Sequence, residues 1–211
     1  MASKRFISRF DILKSASWLR NNQCGPNVYA FRNLETGQVL YSQTLHPKEH
    51  DIKQQFQFTN WQNRLPSTRK DIWRPLAVVE LPSHEDAVTF YYSLVRLRYM
   101  RDRSMKEQAN DWRKKSKDGN IWYYSQFRPT YSQEAVADIA SAVDASDVEC
   151  RIKWENEWRR GDDKYWQGLK VVHDYLPKYN PREQNVVLRQ IADESYQRFI
   201  RRQEQKVAAS V

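Results

Sequence analysis

VYAFRNLETGQVLYSQT, Val28 to Thr44, decides the fold. Val28 to Asn33 is rich in residues that suit a pleated, half-buried surface, and Gln38 to Thr44 repeats that pattern. Between them Glu35-Thr36-Gly37 supplies a short turn, with Gly37 able to take positive φ. The stretch predicts a β-hairpin, and the neighbouring segments are read against it.

After the hairpin, His46 to Phe58 is weakly helical and Asn60 to Arg74 is a polar loop rich in turn residues. Pro75 to Leu81 is a short apolar strand. Ser83, with Asp86 three residues on, caps a helix whose Ala87, Phe90, Tyr91, Leu94 and Val95 recur at helical spacing and face the sheet. Asp118-Gly119 is a turn, and Ile121 to Phe127 is an aromatic strand. Ser132 caps a helix to about Val143, and an acidic break follows at Asp144 to Glu149. Asn180-Pro181 with Glu183 then starts a helix to about Lys206, with a thin apolar stripe of Val187, Leu188, Ile191 and Phe199. A helix with so narrow an apolar face needs a partner surface.

These elements predict an α+β fold: a small mixed sheet of three or four strands covered by helices on one side, with a Trp-rich tail and a long C-terminal helical extension. The expected divisions are a basic N-terminal arm or targeting segment over 1–26, an α+β nucleic-acid-binding core over 27–148, and the Trp-rich and helical extension over 149–211.

Charge narrows the class of partner. The 211 residues carry 35 Lys/Arg against 26 Asp/Glu, a net +9. Residues 61–120 hold 13 Lys/Arg against 8 Asp/Glu, whereas 121–150 hold 1 against 5. Net positive charge placed this way favours a polyanion. Two cysteines, Cys24 and Cys150, are too few for a disulfide framework and suit a reducing compartment. No apolar run is long enough for a membrane-spanning helix, so no integral membrane segment is expected. The first twenty residues are basic, serine-containing and nearly free of acids, which fits an organelle transit segment or a basic nucleic-acid-binding arm.

Between Asn60 and Lys117 cations alternate with planar rings: NWQNRLPSTRKDIWRP from Asn60, VRLRYMRDR from Val95, and WRKKSK from Trp112. Cations neutralise phosphates and rings stack on unpaired bases, so nucleic acid is the expected ligand, and RNA fits the stacking chemistry best. Catalytic signatures are absent from the sequence. There is no GxxxxGK[ST], no GxGxxG and no GxSxG, and five glycines leave nothing to cradle a nucleotide's phosphates. His46, His50, His84 and His173 read as surface residues rather than metal ligands. No enzyme, cofactor or metal is expected.

Two resemblances follow from the residues. The hairpin has the cadence of a GIY-YIG nuclease opening, with Tyr29 and Tyr41 in the tyrosine places, Ser42 where a glycine belongs, and no assignable Arg and Glu pair. The second resemblance is far more extensive. VYAFRNLETGQVLYSQ, NWQNRLPSTRKDIWRP, RLRYMRD, FRPTYSQEAVADI and WENEWRRGDDKYW occur in one order across residues 28–166. Together they resemble the fungal mitochondrial homologous recombination protein family, which also supplies a component of the mitochondrial large ribosomal subunit. The resemblance implies a mitochondrial matrix location. It implies a structural ribosomal protein bound to large-subunit ribosomal RNA among neighbouring mitochondrial ribosomal proteins. It also implies an alternative, a mitochondrial DNA factor for homologous pairing, recombination and transcription regulation.

On the ribosomal reading, phosphate contacts are expected from Arg64, Arg69, Lys70, Arg74, Arg96, Arg98, Arg101, Arg103, Arg113, Lys114 and Lys115. Trp61 and Trp112 are expected to stack on bases, while Trp73, beside a strand, reads as a core anchor. Arg159 and Arg160 are expected to touch RNA or a neighbouring ribosomal protein. The thin-faced C-terminal helix favours a permanent binding surface, and hence the ribosome, over a free DNA factor.

Overall fold

The structure, a computed structural model, describes residues 13–57, 64–107, 132–161 and 163–209. Its centre is a sheet of five strands: β1 (Asn27–Asn33), β2 (Val39–Ser42), β3 (Trp73–Glu80), β4 (Cys150–Trp154) and β5 (Val171–Tyr175), in the spatial order β2-β1-β3-β4-β5. All neighbours are antiparallel except β4 and β5. The helices are α1 (Ala16–Asn21), α2 (Glu49–Gln55), α3 (His84–Tyr99), α4 (Ser132–Ser146) and α5 (Gln184–Ala209).

The hairpin forms as its sequence requires. Asn33 Oδ1 accepts from the backbone N–H groups of Glu35 (2.9 Å) and Thr36 (3.0 Å), and Gly37 takes φ +74°. Tyr29 pairs with Ser42 and Ala30 with Tyr41, so Tyr29 and Tyr41 point to opposite faces of the sheet. Pro75 would interrupt a regular ladder. The register instead shifts between Ala30 and Phe31, with Ala30 opposite Ala77 and Phe31 opposite Pro75, which leaves Leu76 as the extra residue of a bulge.

Both faces of the sheet are covered, not one. Val28, Ala30, Val39, Tyr41 and Val79 pack against Phe90 and Leu94 of α3 and Ile139 and Val143 of α4. Tyr29, Phe31, Leu40 and Val78 pack on the other side with Ile52 of α2 and Leu188 and Ile191 of α5. Alternate residues of one strand therefore feed two cores, which is why β1 and β2 are buried almost throughout.

The sheet also has more strands than the three or four expected, and it crosses the division expected at 148. β4 pairs with β3 through Ala77–Trp154 to Glu80–Arg151. The Trp-rich segment is core as well: Trp154 and Trp166 meet edge to face at 5.6 Å, and Trp154 Nε1 donates to His173 Nδ1 at 3.0 Å. α5 finds its partner surface within the chain. Leu188, Ile191, Ala192, Ser195 and Phe199 are buried, while residues 201–209 are exposed. At the N-terminal side, Lys14 N donates to Gln43 Oε1 (2.8 Å) and Leu19 of α1 is buried, so residues 14–21 contact the rest of the described fold. The strand expected over Ile121 to Phe127 lies outside the described residues. No helix among the described residues is long and apolar enough to cross a membrane.

Candidate nucleic-acid interface

The expected cations fall into distinct places. On α3 the helical period decides. Ala87, Tyr91 and Leu94 form the buried stripe, and Arg98 continues it at a spacing of four. Arg101 follows in a π-helical turn, Met100–Ser104, that extends α3. Arg98 is 3 % exposed. Its Nη1 donates to Gln55 Oε1 at 2.7 Å, its Nη2 donates to the Val39 carbonyl, and its plane lies 4.5 Å from the Tyr41 ring centroid. Gln55 in turn brackets the Tyr41 backbone, accepting from its N–H at 3.0 Å and donating to its carbonyl at 2.6 Å. Two side chains thus occupy the β2 edge where another strand would pair.

Arg101 faces α4. It holds Asp138 through two nitrogens and approaches Glu134 at 3.2 Å. Burial opposes its charge, but the two carboxylates hold its pKa above the ordinary arginine value. The Tyr41 hydroxyl donates to Asp138 at 2.8 Å, and burial with the Asp138 charge raises the Tyr41 pKa well above its ordinary value. Arg98 and Arg101, both expected to contact phosphate, are thus engaged within the chain, Arg98 buried and Arg101 partly exposed. Arg96 on α3 and Arg103 in the π-helical turn that follows it are exposed.

A second group surrounds a cleft between the loop before β3 and the start of α5. Lys70 and Arg74 line it, joined by Arg182 from far along the chain. Arg74 Nη1 donates to the Pro181 carbonyl (3.1 Å) and to Gln184 Oε1 (2.8 Å), and Gln184 Nε2 donates to the Trp73 carbonyl (3.0 Å). Trp73 is 2 % exposed, with Nε1 on the Ser67 carbonyl at 3.1 Å, so it is the core anchor the sequence suggested. Arg69 is exposed and pairs with Asp71, and Arg64 is exposed while its carbonyl accepts from Gln38 Nε2 at 2.7 Å.

A third group follows β4. Trp158 is 68 % exposed, and the Arg159 guanidinium lies 3.9 Å from its ring centroid. Arg159 also contacts Glu155 at 3.3 Å, and Arg32 reaches the same carboxylate at 3.2 Å. Burial and then the Arg32 charge lower the Arg159 pKa. Arg160 pairs with Asp163. Trp61, Trp112, Arg113, Lys114 and Lys115 lie outside the described residues.

Two residues of these groups were not expected from the sequence. Arg182 is separated from Arg74 by more than a hundred positions, and only the docking of α5 brings it to the cleft. Trp158 carried a visible signal, a tryptophan followed by two arginines, but its position among buried tryptophans obscured it. Among the histidines, His84 is buried rather than on the surface, with Nε2 2.8 Å from the Cys24 carbonyl and Phe199 edge-on at 4.5 Å. Tyr29 and Tyr41, the two tyrosines of the nuclease-like hairpin, point to opposite faces of the sheet.

The class defined by this fold and surface is a basic α+β scaffold with cations and large rings, Trp158 foremost among the described residues, on the outside. The family model described as Mhr1, transcriptional regulation of mitochondrial recombination, matches residues 25–108. The chain is 50 % identical to the large ribosomal subunit protein mL67 of Candida albicans over 187 residues, covering 88 % of this chain and 78 % of the relative. It is 45 % identical to mL67 of Kluyveromyces lactis over 197 residues, covering 90 % and 89 %. For mL67 of Eremothecium gossypii the identity is 43 % over 196 residues, covering 91 % of each. The chain belongs to the mL67 family, the family that the five sequence blocks resemble.

Proposed function

We propose that this protein is a structural component of the mitochondrial large ribosomal subunit, that it is not a catalyst, and that it holds ribosomal RNA while supporting mitochondrial translation. The observation that carries the ribosomal assignment is identity of 43–50 % to large ribosomal subunit proteins over about nine-tenths of the chain. RNA contact is supported by charge placement. Arg64, Lys70, Arg96 and Arg103 are exposed, as is Trp158, and Arg74, Arg159 and Arg160 are partly so. The proposal also assigns RNA contact to Trp61, Trp112, Arg113, Lys114 and Lys115, on their sequence pattern. Phosphate contacts of this kind position RNA, and exposed rings stack on its unpaired bases.

Sucrose-gradient fractionation of mitochondrial lysate tests the assignment, first at magnesium that keeps subunits intact and then after a high-salt wash. Retention with the large subunit through the wash is the expected result. Recovery in light fractions or with the nucleoid would overturn it. That outcome would favour the DNA reading, which the matched family description, regulation of mitochondrial recombination, keeps in view.

A further inference from the structure

The cleft beside β3 has a volume of about 390 Å³, within the range of small-ligand sites. Leu45 and Pro47 give it an apolar wall, and Lys70, Arg74 and Arg182 supply three cations from two distant stretches of chain. The acid on its lining, Asp71, is engaged by Arg69 through Nε at 3.1 Å and Nη2 at 2.5 Å. The cations, by contrast, keep donor capacity. Arg74 spends only Nη1, on Pro181 and Gln184, and the side chains of Lys70 and Arg182 have no partner among the described residues. The Lys70 charge is felt locally: burial, then Lys70 together with Arg189 outside the cleft, lower the pKa of His46 on the same wall. Uncompensated cations beside an apolar wall match a phosphodiester joined to an unstacked base. A fully paired duplex keeps its bases stacked and offers nothing to fill such a cleft.

We propose that this cleft receives one unpaired nucleotide of the bound RNA, its phosphate on Lys70, Arg74 and Arg182 and its base against Leu45 and Pro47. The inference rests on the RNA-binding reading above and goes beyond it by separating one base-accepting position from general phosphate contacts. The recognised chemistry is shared by RNA and DNA, so the test includes both.

The experiment uses the full chain and fluorescein-labelled RNA hairpins, one perfectly paired and one with a single-nucleotide bulge, followed by anisotropy at fixed salt. The wild type should bind the bulged hairpin about tenfold more tightly than the paired one. K70A/R182A, which alters two exposed residues, should lose that preference while retaining the wild-type melting temperature. A 4-thiouridine placed in the bulge should crosslink to the peptides carrying Pro47 or Lys70. Equal binding of both hairpins by the wild type, with K70A/R182A unchanged, would overturn the cleft assignment and leave RNA binding standing. Failure to bind either RNA would overturn the RNA reading itself. A bulged DNA hairpin should bind more weakly than the RNA; equal or tighter DNA binding would overturn the assignment to RNA.

Discussion

Arg101 grips Asp138 with two guanidinium nitrogens, Nη1 to Oδ1 at 2.8 Å and Nη2 to Oδ2 at 2.7 Å, across the join between α3 and α4. Asp138 is buried and also accepts from Tyr41, so one carboxylate ties both helices to β2. Removing one partner strands the other charge in the interior. Arg101→Ala or Asp138→Asn should therefore cost about 2–3 kcal/mol of stability, below the full cost of breaking a buried pair because Arg101 keeps some solvent contact. Arg96→Ala with Arg103→Ala should cost less than about 1 kcal/mol. Urea denaturation followed by tryptophan fluorescence separates them; equal midpoints for the two pairs would refute the division of the α3 arginines.

How much of this was legible in the sequence differs by element. The hairpin, the Ser83 cap and the Asn180-Pro181 start were readable because their signals are local: Asn33 and Gly37 in the turn, Ser83 Oγ accepting from Asp86 N at 3.1 Å, and Asn180 Oδ1 accepting from Arg182 N at 3.2 Å. β4 and β5 were not, because CRIKW and VVHDY are short: β4 pairs with β3, some seventy residues earlier, and β5 in turn pairs with β4. The α3 arginines were read for charge alone. Spacing from Leu94 already placed Arg98 on the core stripe, and the carboxylate that accepts Arg101 lies 37 residues away. Trp158 could be told from Trp154 and Trp166 only by which side of the chain faces the sheet.

Gly25 is needed where α5 crosses the start of β1. A Cβ there would stand 2.9 Å from the Ala192 carbonyl oxygen, 3.0 Å from Asn27 Nδ2 and 3.1 Å from Ser195 Oγ. The nearest of these is backbone and yields least. Gly25→Ala should cost about 1–3 kcal/mol by pushing α5 off the sheet. Limited proteolysis should then cleave within 184–199 faster than in the wild type. An unchanged cleavage pattern and melting temperature would show that this contact does not hold α5.

Stability should fall on mild acidification. Burial lowers the pKa of His84, outweighing the opposing hydrogen bond to the Cys24 carbonyl, with Arg20 nearby lowering it further and Glu85 raising it. Burial likewise lowers the pKa of His173, whose Nδ1 accepts from Trp154. Each folded pKa lies below the unfolded value of about 6.5, so the unfolded chain takes up protons that the folded chain refuses. The stability is fully present above about pH 6.5 and is lost as pH falls from there through the folded values. Urea midpoints at pH 7.5, 6.5 and 5.5 should decline at the last step. His84→Asn should be less stable at pH 7.5 yet show a shallower decline, with the remainder due to His173 and His46. A midpoint independent of pH over this range would contradict the buried neutral state of these rings.

Trp158 offers the most direct separation of binding from folding. Arg159 covers one face of its ring at 3.9 Å, and the 68 % exposure leaves the other face open to solvent. An aromatic ring so placed contributes little to the core, and Trp158→Ala should change stability by less than about 0.5 kcal/mol. The guanidinium behind the ring holds it in position and adds positive charge close to any base stacked on the open face. Loss of one base stack should weaken binding to single-stranded RNA by about 1–3 kcal/mol, roughly 5- to 150-fold, while Trp158→Phe should retain most of the affinity. Fluorescence anisotropy with a labelled oligoribonucleotide measures both variants against the wild type. Wild-type affinity in Trp158→Ala would remove this ring from the RNA interface and assign its exposure to contact with a neighbouring protein.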